Sequence, residues 1–483
     1  MKAIRDVIMV TCVILMQMTV SAQWVKKSDA ELETLRQGMI DRAVAFLRTQ
    51  QQENGSFTTN PRSGIGQTAI ATVGLLKVGV KPDDPMVKKA IAYLMTFAKE
   101  NGSFDSAGEQ LANYETCVVM FALSLANNGG IYDGILKRSD AFLRGIQFTE
   151  ANGISRDDPN YGGAGYGGRA DVSNTDFLIE ALRITSKGAD DPAIQKALVF
   201  ISRCQNLESE HNNSPKVPKN PDGGFYYAAQ NGGESYAGET EDGGLRSYGS
   251  MTYAGFKSLI YAGLTTSDPR YQAAEAWLKK NYDIESNPGI GQSGLFYYYH
   301  TMAKTLAVTG WKTFTTADGV EHDWRAELIE MLALRQRADG SWINTDPRWL
   351  ENDPSLVTGY VLVVLGECKK EPTPKREYYP SQVGLWYTVW WDSQERDPLF
   401  FKHHWGTNTR VKPIKHGYYA TDDPKKLKDD FQFFHRIGID YLILDDTNAH
   451  YNDNGNIATH IDACFEMARQ LGTLTVYFTT VVA

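Results

Sequence analysis

The segment that decides the fold is QRADGSW, residues Gln336–Trp342. Its pattern returns as QQENGSF at 51–57 and AKENGSF at 98–104, and weaker copies are QFTEANG at 147–153 and NPDGGFYY at 220–227. Asn-Gly and Asp-Gly pairs favour a chain reversal because they tolerate positive φ. A phrase that recurs in this way indicates a structural repeat.

Each phrase lies between two kinds of predicted helix. The helices before it carry charges on one face, as in DPMVKKAIAYLMTFAKE, and cover 33–50, 84–100, 133–149, 191–204, 268–282 and 321–336. The helices after it are apolar nearly all round, as in YETCVVMFALSLA, and cover 66–78, 113–126, 173–185, 249–263, 296–309 and 354–367. A helix that is apolar on every side is buried, so the second kind should be enclosed by the first.

Six helices of each kind predict a closed arrangement. Several charged helices begin at Asp-Pro, at Asp84, Asp191 and Asp268, where Asp caps the helix and Pro fits its first turn. An open solenoid needs polar terminal repeats, which the sequence does not show clearly. We therefore predict an (α/α)6 toroid over residues 30–370.

The repeat phrase of this chain resembles that of a known family. The QxxxGxW-like phrase, complete in QRADGSW, resembles the repeat of terpene cyclase and protein prenyltransferase toroids. The resemblance covers about residues 30–370 and implies the toroid fold. It does not by itself imply the chemistry, because one fold serves many functions.

Each apolar helix has a threonine near its start: Thr68, Thr116, Thr175, Thr252, Thr301 and Thr358. The threonines could be structural, and the residues before them would then face the lumen of the toroid. Those residues are Gln67, Glu115, Asn174, Met251, His300 and Val357. Positions three earlier share the same helix face and include Asp171, Tyr248 and Tyr297. Polar groups that converge among aromatic rings predict a small-molecule pocket, although each residue alone is also explained as a bonded group at a helix N-terminus.

The family resemblance indicates which positions of this sequence would hold a zinc ion. In the zinc prenyltransferases, an Asp-x-Cys pair and a His in an F-Y-H-T context hold the metal, and YYHT places His300 at the position of that histidine. Tyr248 stands where the Asp would be and Ser250 where the Cys would be. Hydroxyl groups are poor zinc ligands beside thiolate and carboxylate. We therefore predict no zinc, no prenyl transfer and no cofactor.

A terpene cyclase of class II would need a D-x-D-D acid motif, which the sequence lacks. Aromatic rings that stabilise carbocations are nevertheless available, in Tyr114, Tyr248, Tyr253, Tyr297 and Tyr298. The polar ring suits a hydrocarbon less well than a polar ligand. An isoprenoid cyclase therefore stays as an alternative, and a non-catalytic interaction scaffold as another.

Glu115 and His300 are the predicted catalytic residues, because a carboxylate and an imidazole facing one cavity can act as acid and base. The predicted substrate-binding residues are Gln67, Asp171, Asn174, Tyr248, Ser250 and Tyr297.

After Cys368 the pattern changes. A charged, Pro-containing linker at 371–380 precedes three predicted strands, VGLWYTVWW, IDYLILDDTN and LTVYFTTVV, with helices between them. This β-α-β-α-β order predicts an incomplete α/β segment, TIM-barrel-like, over 381–483. GID followed by YLILDDTN resembles the barrel start of endo-α-mannosidase-type glycoside hydrolases.

Composition limits the partners. The 58 acidic residues exceed the 49 basic ones, which argues against nucleic acid as a partner. Lys2 and Arg5 precede a short apolar run that ends in VSA at Ala22, so residues 1–22 predict a signal peptide and export to the periplasm or medium, without a stable membrane anchor. The four later cysteines form no CxxC pair and are expected to be buried free thiols.

The sequence thus predicts an exported toroid that binds, and if an enzyme processes, a polar small molecule. The sugar-associated resemblance of the C-terminal segment favours an oligosaccharide, with lyase or hydrolase chemistry.

Overall fold

The computed structural model describes residues 27–58, 64–106, 110–186 and 188–369, together with strands Gly384–Thr388, Tyr441–Asp445 and Thr475–Thr479 and six single positions between them. The chain divides into two compact units, Met1–Lys369 and Lys370–Ala483. The predicted signal peptide at 1–22 and the linker at 371–380 lie outside the described residues and stay predictions.

Twelve α-helices occur in the described part of the first unit. The odd-numbered helices are α1 (Asp29–Gln50), α3 (Pro85–Met95), α5 (Asp133–Ile146), α7 (Pro192–Arg203), α9 (Pro269–Lys280) and α11 (Trp324–Arg335). The even-numbered helices are α2 (Gly66–Lys77), α4 (Ala112–Leu125), α6 (Val172–Thr185), α8 (Gly249–Tyr261), α10 (Leu295–Thr309) and α12 (Pro354–Glu367). All twelve predicted helices are confirmed, with their ends shifted by a few residues.

The even helices form a closed inner ring. Each contacts the next in the order α2, α4, α6, α8, α10 and α12, and α12 contacts α2. The odd helices pack outside against inner neighbours, and α11 meets α1. The inner helices are buried along most of their length, as their apolar sequences predict. The prediction of a mainly α, toroid-like fold is confirmed.

The Asp-Pro starts of the outer helices work as predicted. Asp84 Oδ1 accepts a hydrogen bond from Met86 N at 2.9 Å, and Asp191 Oδ1 accepts one from Ala193 N at 2.9 Å. Asp268 caps α9 in the same way. These bonds satisfy N–H groups that the first helical turn leaves free.

The glutamine of the repeat joins consecutive outer helices. Gln51 Nε2 donates to Gly55 O and to Met86 O in α3, at 3.1 and 2.8 Å. Gln336 repeats this geometry with Gly340 O at 2.9 Å and with Met39 O of α1 at 3.1 Å. Because Met39 belongs to the first helix, the QRADGSW copy closes the outer ring.

The glycine of the repeat allows its loop to lie against the next outer helix. A Cβ added there would lie no farther than 2.8 Å from a helix carbonyl oxygen at Gly55, Gly102, Gly162, Gly223 and Gly340. In the copy that starts at Gln147 this glycine is Gly162, since Gln147 Nε2 donates to Gly162 O at 2.7 Å. The reading of Gly153 as the repeat glycine was wrong, because an insertion separates the two halves of that copy.

The threonines of the inner helices are structural. Thr68 Oγ1 accepts a hydrogen bond from Phe57 N at 3.0 Å, and Thr116 Oγ1 accepts one from Phe104 N at 3.0 Å. Thr175, Thr252 and Thr358 make the equivalent bond in their own copies. Each of these five threonines therefore joins an inner helix to the repeat loop that precedes it, and this bond helps to fix the rotation of the helix. The sixth, Thr301, donates instead to Tyr297 O of its own helix at 2.9 Å.

Two short β-hairpins lie in connections between helices. They are β1 (Gly165–Tyr166) with β2 (Arg169–Ala170), and β3 (Phe314–Thr315) with β4 (Glu321–His322). Cys117, Cys204, Cys368 and Cys464 are buried and free, as predicted. None of the described helices combines the length and the apolar character needed to cross a bilayer.

The second unit contains a parallel sheet. Strands β5 (Gly384–Thr388), β6 (Tyr441–Asp445) and β7 (Thr475–Thr479) pair in that order, with Gly384 opposite Tyr441 and Tyr441 opposite Thr475. The three predicted strands are confirmed. The barrel and the glycoside hydrolase resemblance stay predictions.

Candidate binding site in the toroid

A cavity of about 360 Å³ lies inside the inner ring, near the N-terminal ends of its helices. All six inner helices contribute to its wall, together with hairpin β1–β2 and the loops before α8 and α12. Its aromatic lining residues are Tyr114, Tyr166, Phe177, Tyr227, Tyr236, Tyr248, Tyr297, Trp349 and Tyr360. The others are Leu111, Met251, Leu350, Leu356, Gln67, Ser173, Ser250 and Glu351.

Four of the predicted site residues line this cavity: Gln67, Tyr248, Ser250 and Tyr297. They come from α2, α10 and the start of α8, three elements that are distant in sequence. Of the five tyrosines named for the cyclase alternative, Tyr114 also lines it. Tyr253 and Tyr298 do not, because their rings pack against each other at 5.7 Å.

The predicted catalytic residue Glu115 does not line the cavity. Its carboxylate is fully buried and accepts hydrogen bonds from Ile65 N at 2.9 Å, Ser106 N at 2.7 Å and Ser106 Oγ at 2.6 Å. Glu115 therefore anchors the loop before α2 to the loop before α4, which is a structural role.

Asp171 and Asn174 form the cap of α6 instead of a free polar surface. Asp171 Oδ1 accepts from Asn174 N at 2.9 Å and from Ser173 Oγ at 2.5 Å, while Asn174 Nδ2 donates to Asp171 Oδ2 at 2.8 Å. Burial raises the pKa of Asp171, and these three donors act against that shift.

The predicted catalytic residue His300 is packed behind the cavity wall. Its ring centroid lies 5.2 Å from that of Tyr360, 6.1 Å from Tyr297 and 6.5 Å from Phe177. Burial lowers its pKa well below the ordinary value, and the nearby cations Lys304 and Lys257 lower it further. The imidazole is therefore neutral and makes no contact with Glu115.

The loop before α12 forms part of the wall under backbone strain. Trp349 and Leu350 have φ of 54° and 64°, in the left-handed region that non-glycine residues avoid. The Arg348 guanidinium lies 4.6 Å from the Trp349 ring and 4.7 Å from the Tyr236 ring. Such strain persists where the surroundings enforce it, and it is common at ligand-binding loops.

Glu351 holds this loop against α10. Its Oε1 accepts from Tyr297 N at 2.7 Å, and its Oε2 accepts from Phe296 N at 3.2 Å and Asn344 Nδ2 at 2.7 Å. Burial raises the pKa of Glu351, opposed by the hydrogen bonds of Asn344 and the two backbone amides. The carboxylate thus caps the α10 N-terminus while one side faces the cavity.

A buried ion cluster lies farther along the inner helices. Lys257 Nζ is 3.1 Å from Asp176 Oδ2 and 2.7 Å from Glu180 Oε2, and Lys304 pairs with the other oxygen of Glu180. Two cations and two carboxylates make the cluster neutral, which is the condition for burying charges. The sequence analysis missed it. The available signal was a lysine inside each of two apolar helices and an Asp–Glu pair, four residues apart, inside a third.

The Asp176→Asn variant is expected to change the pH dependence of stability. Burial raises the pKa of Asp176 from 3.8 to about 6 in the folded protein. Between about pH 4 and pH 6 the folded state therefore binds more protons than the unfolded state, so the stability contributed by this group falls as pH rises. Relative to Asp176→Asn, wild type should lose about 2–3 kcal/mol across this window in urea unfolding. Parallel pH profiles would contradict the prediction.

The geometry of the first unit offers no shared metal site, since no three His, Cys, Asp or Glu side chains among the described residues could hold one ion.

No protein-family model matches the chain, and no curated protein matches it. Solved structures similar to it include a variant of type II terpene cyclase MstE from Scytonema in its apo form, at 13% identity over 70% of this chain and 99% of that chain, with a TM-score of 0.45. Another variant of that cyclase, in complex with geranylgeranyl dihydroxybenzoate, has 14% identity over 71% and 99%, with a TM-score of 0.44. A protein from Actinoplanes has 15% identity over 69% and 99%, with a TM-score of 0.41. Because every TM-score is below one half, these similarities assign neither activity nor ligand to this chain.

Proposed function

We propose that the toroid binds an isoprenoid-type ligand, a flexible apolar chain with double bonds, in its aromatic cavity. The observation that carries this proposal is the composition of the wall. Nine of its residues are aromatic and four are aliphatic, namely Leu111, Met251, Leu350 and Leu356. Apolar walls with a few placed polar groups are typical of small-molecule sites, and aromatic faces favour contact with double bonds and methyl groups.

The same wall makes an oligosaccharide the weaker candidate. A sugar exposes many hydroxyl groups, and each needs a partner once it leaves water. Of the polar side chains predicted to meet it, Asp171 and Asn174 bond to each other and Glu115 bonds to loop backbone. A non-catalytic scaffold could have its lumen filled by its own side chains, so the open volume of about 360 Å³ also argues against that alternative.

We propose that the toroid binds this ligand and does not protonate it. Cyclisation by protonation would need a carboxylic acid that presents a proton to the ligand. Glu351 is the carboxyl group among the described lining residues, and both of its oxygens accept hydrogen bonds from N–H donors. These N–H donors stabilise the ionised carboxylate, the form that has no proton to give to an alkene.

A variant that fills the cavity tests the proposal. Leu111 precedes α4 and lines the cavity, so Leu111→Trp should weaken binding of farnesol by at least about tenfold, since the added ring occupies ligand volume. The matched control is Leu125→Trp at the other end of the same helix, where the side chain is 40% exposed. Calorimetric titration of the full chain measures both. Binding of a cellotriose but not of farnesol by wild type would refute the proposal.

A further inference from the structure

The cavity reaches solvent beside Tyr166 and Trp349. Both side chains line the cavity, yet they are 40% and 42% exposed, so they belong to the rim of its mouth. Tyr166 lies in hairpin β1–β2, and Trp349 lies in the strained loop before α12. The end of a chain-like ligand that stays nearest to solvent therefore lies beside this rim.

Aromatic rings and two arginines are in contact along the rim. The ring centroids of Tyr227 and Tyr236 are 4.8 Å apart, and those of Tyr236 and Trp349 are 5.3 Å apart. The Arg169 guanidinium lies 5.7 Å from the Tyr227 ring. The Arg348 guanidinium lies 4.7 Å from the Tyr236 ring and 4.6 Å from the Trp349 ring. All three aromatic residues also line the cavity, so both cations lie next to its wall.

The two arginines differ in their acidic partners. Arg169 forms an ion pair with Glu234. Among the described residues, no carboxylate forms an ion pair with the guanidinium of Arg348, which is exposed. Hydrogen bonds from Ser293 Oγ and from the Arg348 backbone N–H lower the pKa of nearby Asp346, and the charge of Arg348 contributes less. Those two bonds engage both oxygens of Asp346, so the Arg348 guanidinium keeps its N–H donors available.

Contact with the aromatic rings prepares Arg348 to bind an anion. A guanidinium that lies over an aromatic ring uses its flat face for that contact, while its N–H donors point outward from its edge. Two rings against one side chain also restrict its rotamers before a ligand arrives, which lowers the entropy lost on binding. Arg348 therefore offers a held, positively charged fork of donors at the mouth of the cavity.

We propose that the isoprenoid bound by the toroid carries an anionic head group, a carboxylate or a phosphate, which pairs with Arg348 at the rim while its apolar chain lies among the aromatic rings. Guanidinium suits both groups because it donates parallel hydrogen bonds to their oxygens. The interior suits an anion less well, since the described lining residues include Glu351 and no Lys or Arg. This inference rests on the proposed function and names the class of ligand within it.

The test compares farnesol, farnesoic acid and farnesyl phosphate in calorimetric titrations of the full chain. At an ionic strength of about 0.01 M, wild type should bind the anions about tenfold more tightly than farnesol, because hydrogen bonds to charged groups contribute on that scale. The anion that binds more tightly identifies the head group. Arg348→Gln should remove most of the preference, measured as the ratio of anion affinity to farnesol affinity in the same protein.

Arg138→Gln is the matched control for the loss of charge. It removes one positive charge from an exposed position of outer helix α5, away from the inner ring that encloses the cavity. This variant should keep the full preference for the anions. A preference that falls equally in both variants would show that the net charge of the protein, and not Arg348, attracts the anion, and would overturn the inference.

A salt series on wild type tests the same point without a substitution. At an ionic strength of about 1 M, charges are screened within about 3 Å, so the preference for the anions should shrink severalfold. Equal affinity for farnesol and both anions, or a preference that survives Arg348→Gln or high salt, would overturn the inference and leave the proposed function standing. Failure of all three compounds to bind would overturn the two together.

Discussion

The Lys257→Met variant is expected to lose about 3–5 kcal/mol of unfolding free energy, the range for removing one partner of a buried ion pair. Lys257 is 1% exposed and its ammonium is shared between Asp176 and Glu180. Without it, two carboxylates on α6 remain in a dry interior with Lys304 as their cation. Burial and the second carboxylate then disfavour the charge on Asp176.

Two further variants separate this effect from the loss of a lysine as such. Lys280→Met changes an exposed lysine of α9 and should alter stability by no more than about 0.5 kcal/mol. The double variant Asp176→Asn, Lys257→Met restores neutrality and leaves the Glu180–Lys304 pair intact, so it should recover most of the loss. Denaturant unfolding of the three proteins at neutral pH measures the differences. A double variant as unstable as Lys257→Met would show that packing, and not charge, sets the cost.

The second large effect is expected at the repeat loop. Gly162 and Gly153 both have positive φ, 85° and 77°, but their surroundings differ. A Cβ on Gly162 would overlap the carbonyl oxygen of Lys196 in α7, whereas a Cβ on Gly153 would meet nothing within 4 Å. Gly153→Ala should therefore cost about 1–2 kcal/mol for the left-handed backbone alone.

Gly162→Ala should lower the free energy of unfolding by the same amount and by about 1–3 kcal/mol more, because the added Cβ pushes the loop away from α7. The loop cannot move freely, because Gln147 Nε2 bonds both to Gly162 O and to Ala193 O in α7. Thermal or urea unfolding of the two variants gives the difference directly. Similar losses in both would mean that the loop yields and that the close approach contributes little to stability.

Most of the toroid could be predicted from the sequence, while the residues on the inward faces of its helices were predicted only in part. The prediction placed the residue before each threonine in the lumen. The structure brings two of these residues, Gln67 and Met251, to the cavity. The cavity is also lined by Tyr114, Ser173, Ser250 and Leu356, each two positions before its threonine. One residue is about a quarter of a helical turn, so this shift moves a position from the lumen to a neighbouring helix.

Glu115 and Asn174 are two predicted residues that do not line the cavity. Both precede a threonine by one residue, and both turn towards a neighbouring segment, Glu115 to the loops at Ile65 and Ser106 and Asn174 to Asn113. The inner helices are apolar on every side, so their sequences carry no strong signal for rotation. The rotation is fixed by contacts outside the helix, such as the bond from the Phe104 amide of the preceding loop to Thr116.

By itself, the sequence determined the number, type and approximate bounds of the helices, their division into inner and outer layers, and the three later strands. These features depend on periodicity, capping residues and turn residues, which act over a few neighbouring positions. Only the tertiary structure decided which side chains share the lumen, because residues from six repeats meet there. The aromatic cavity and the ion cluster of α6, α8 and α10 are likewise built from residues of different repeats.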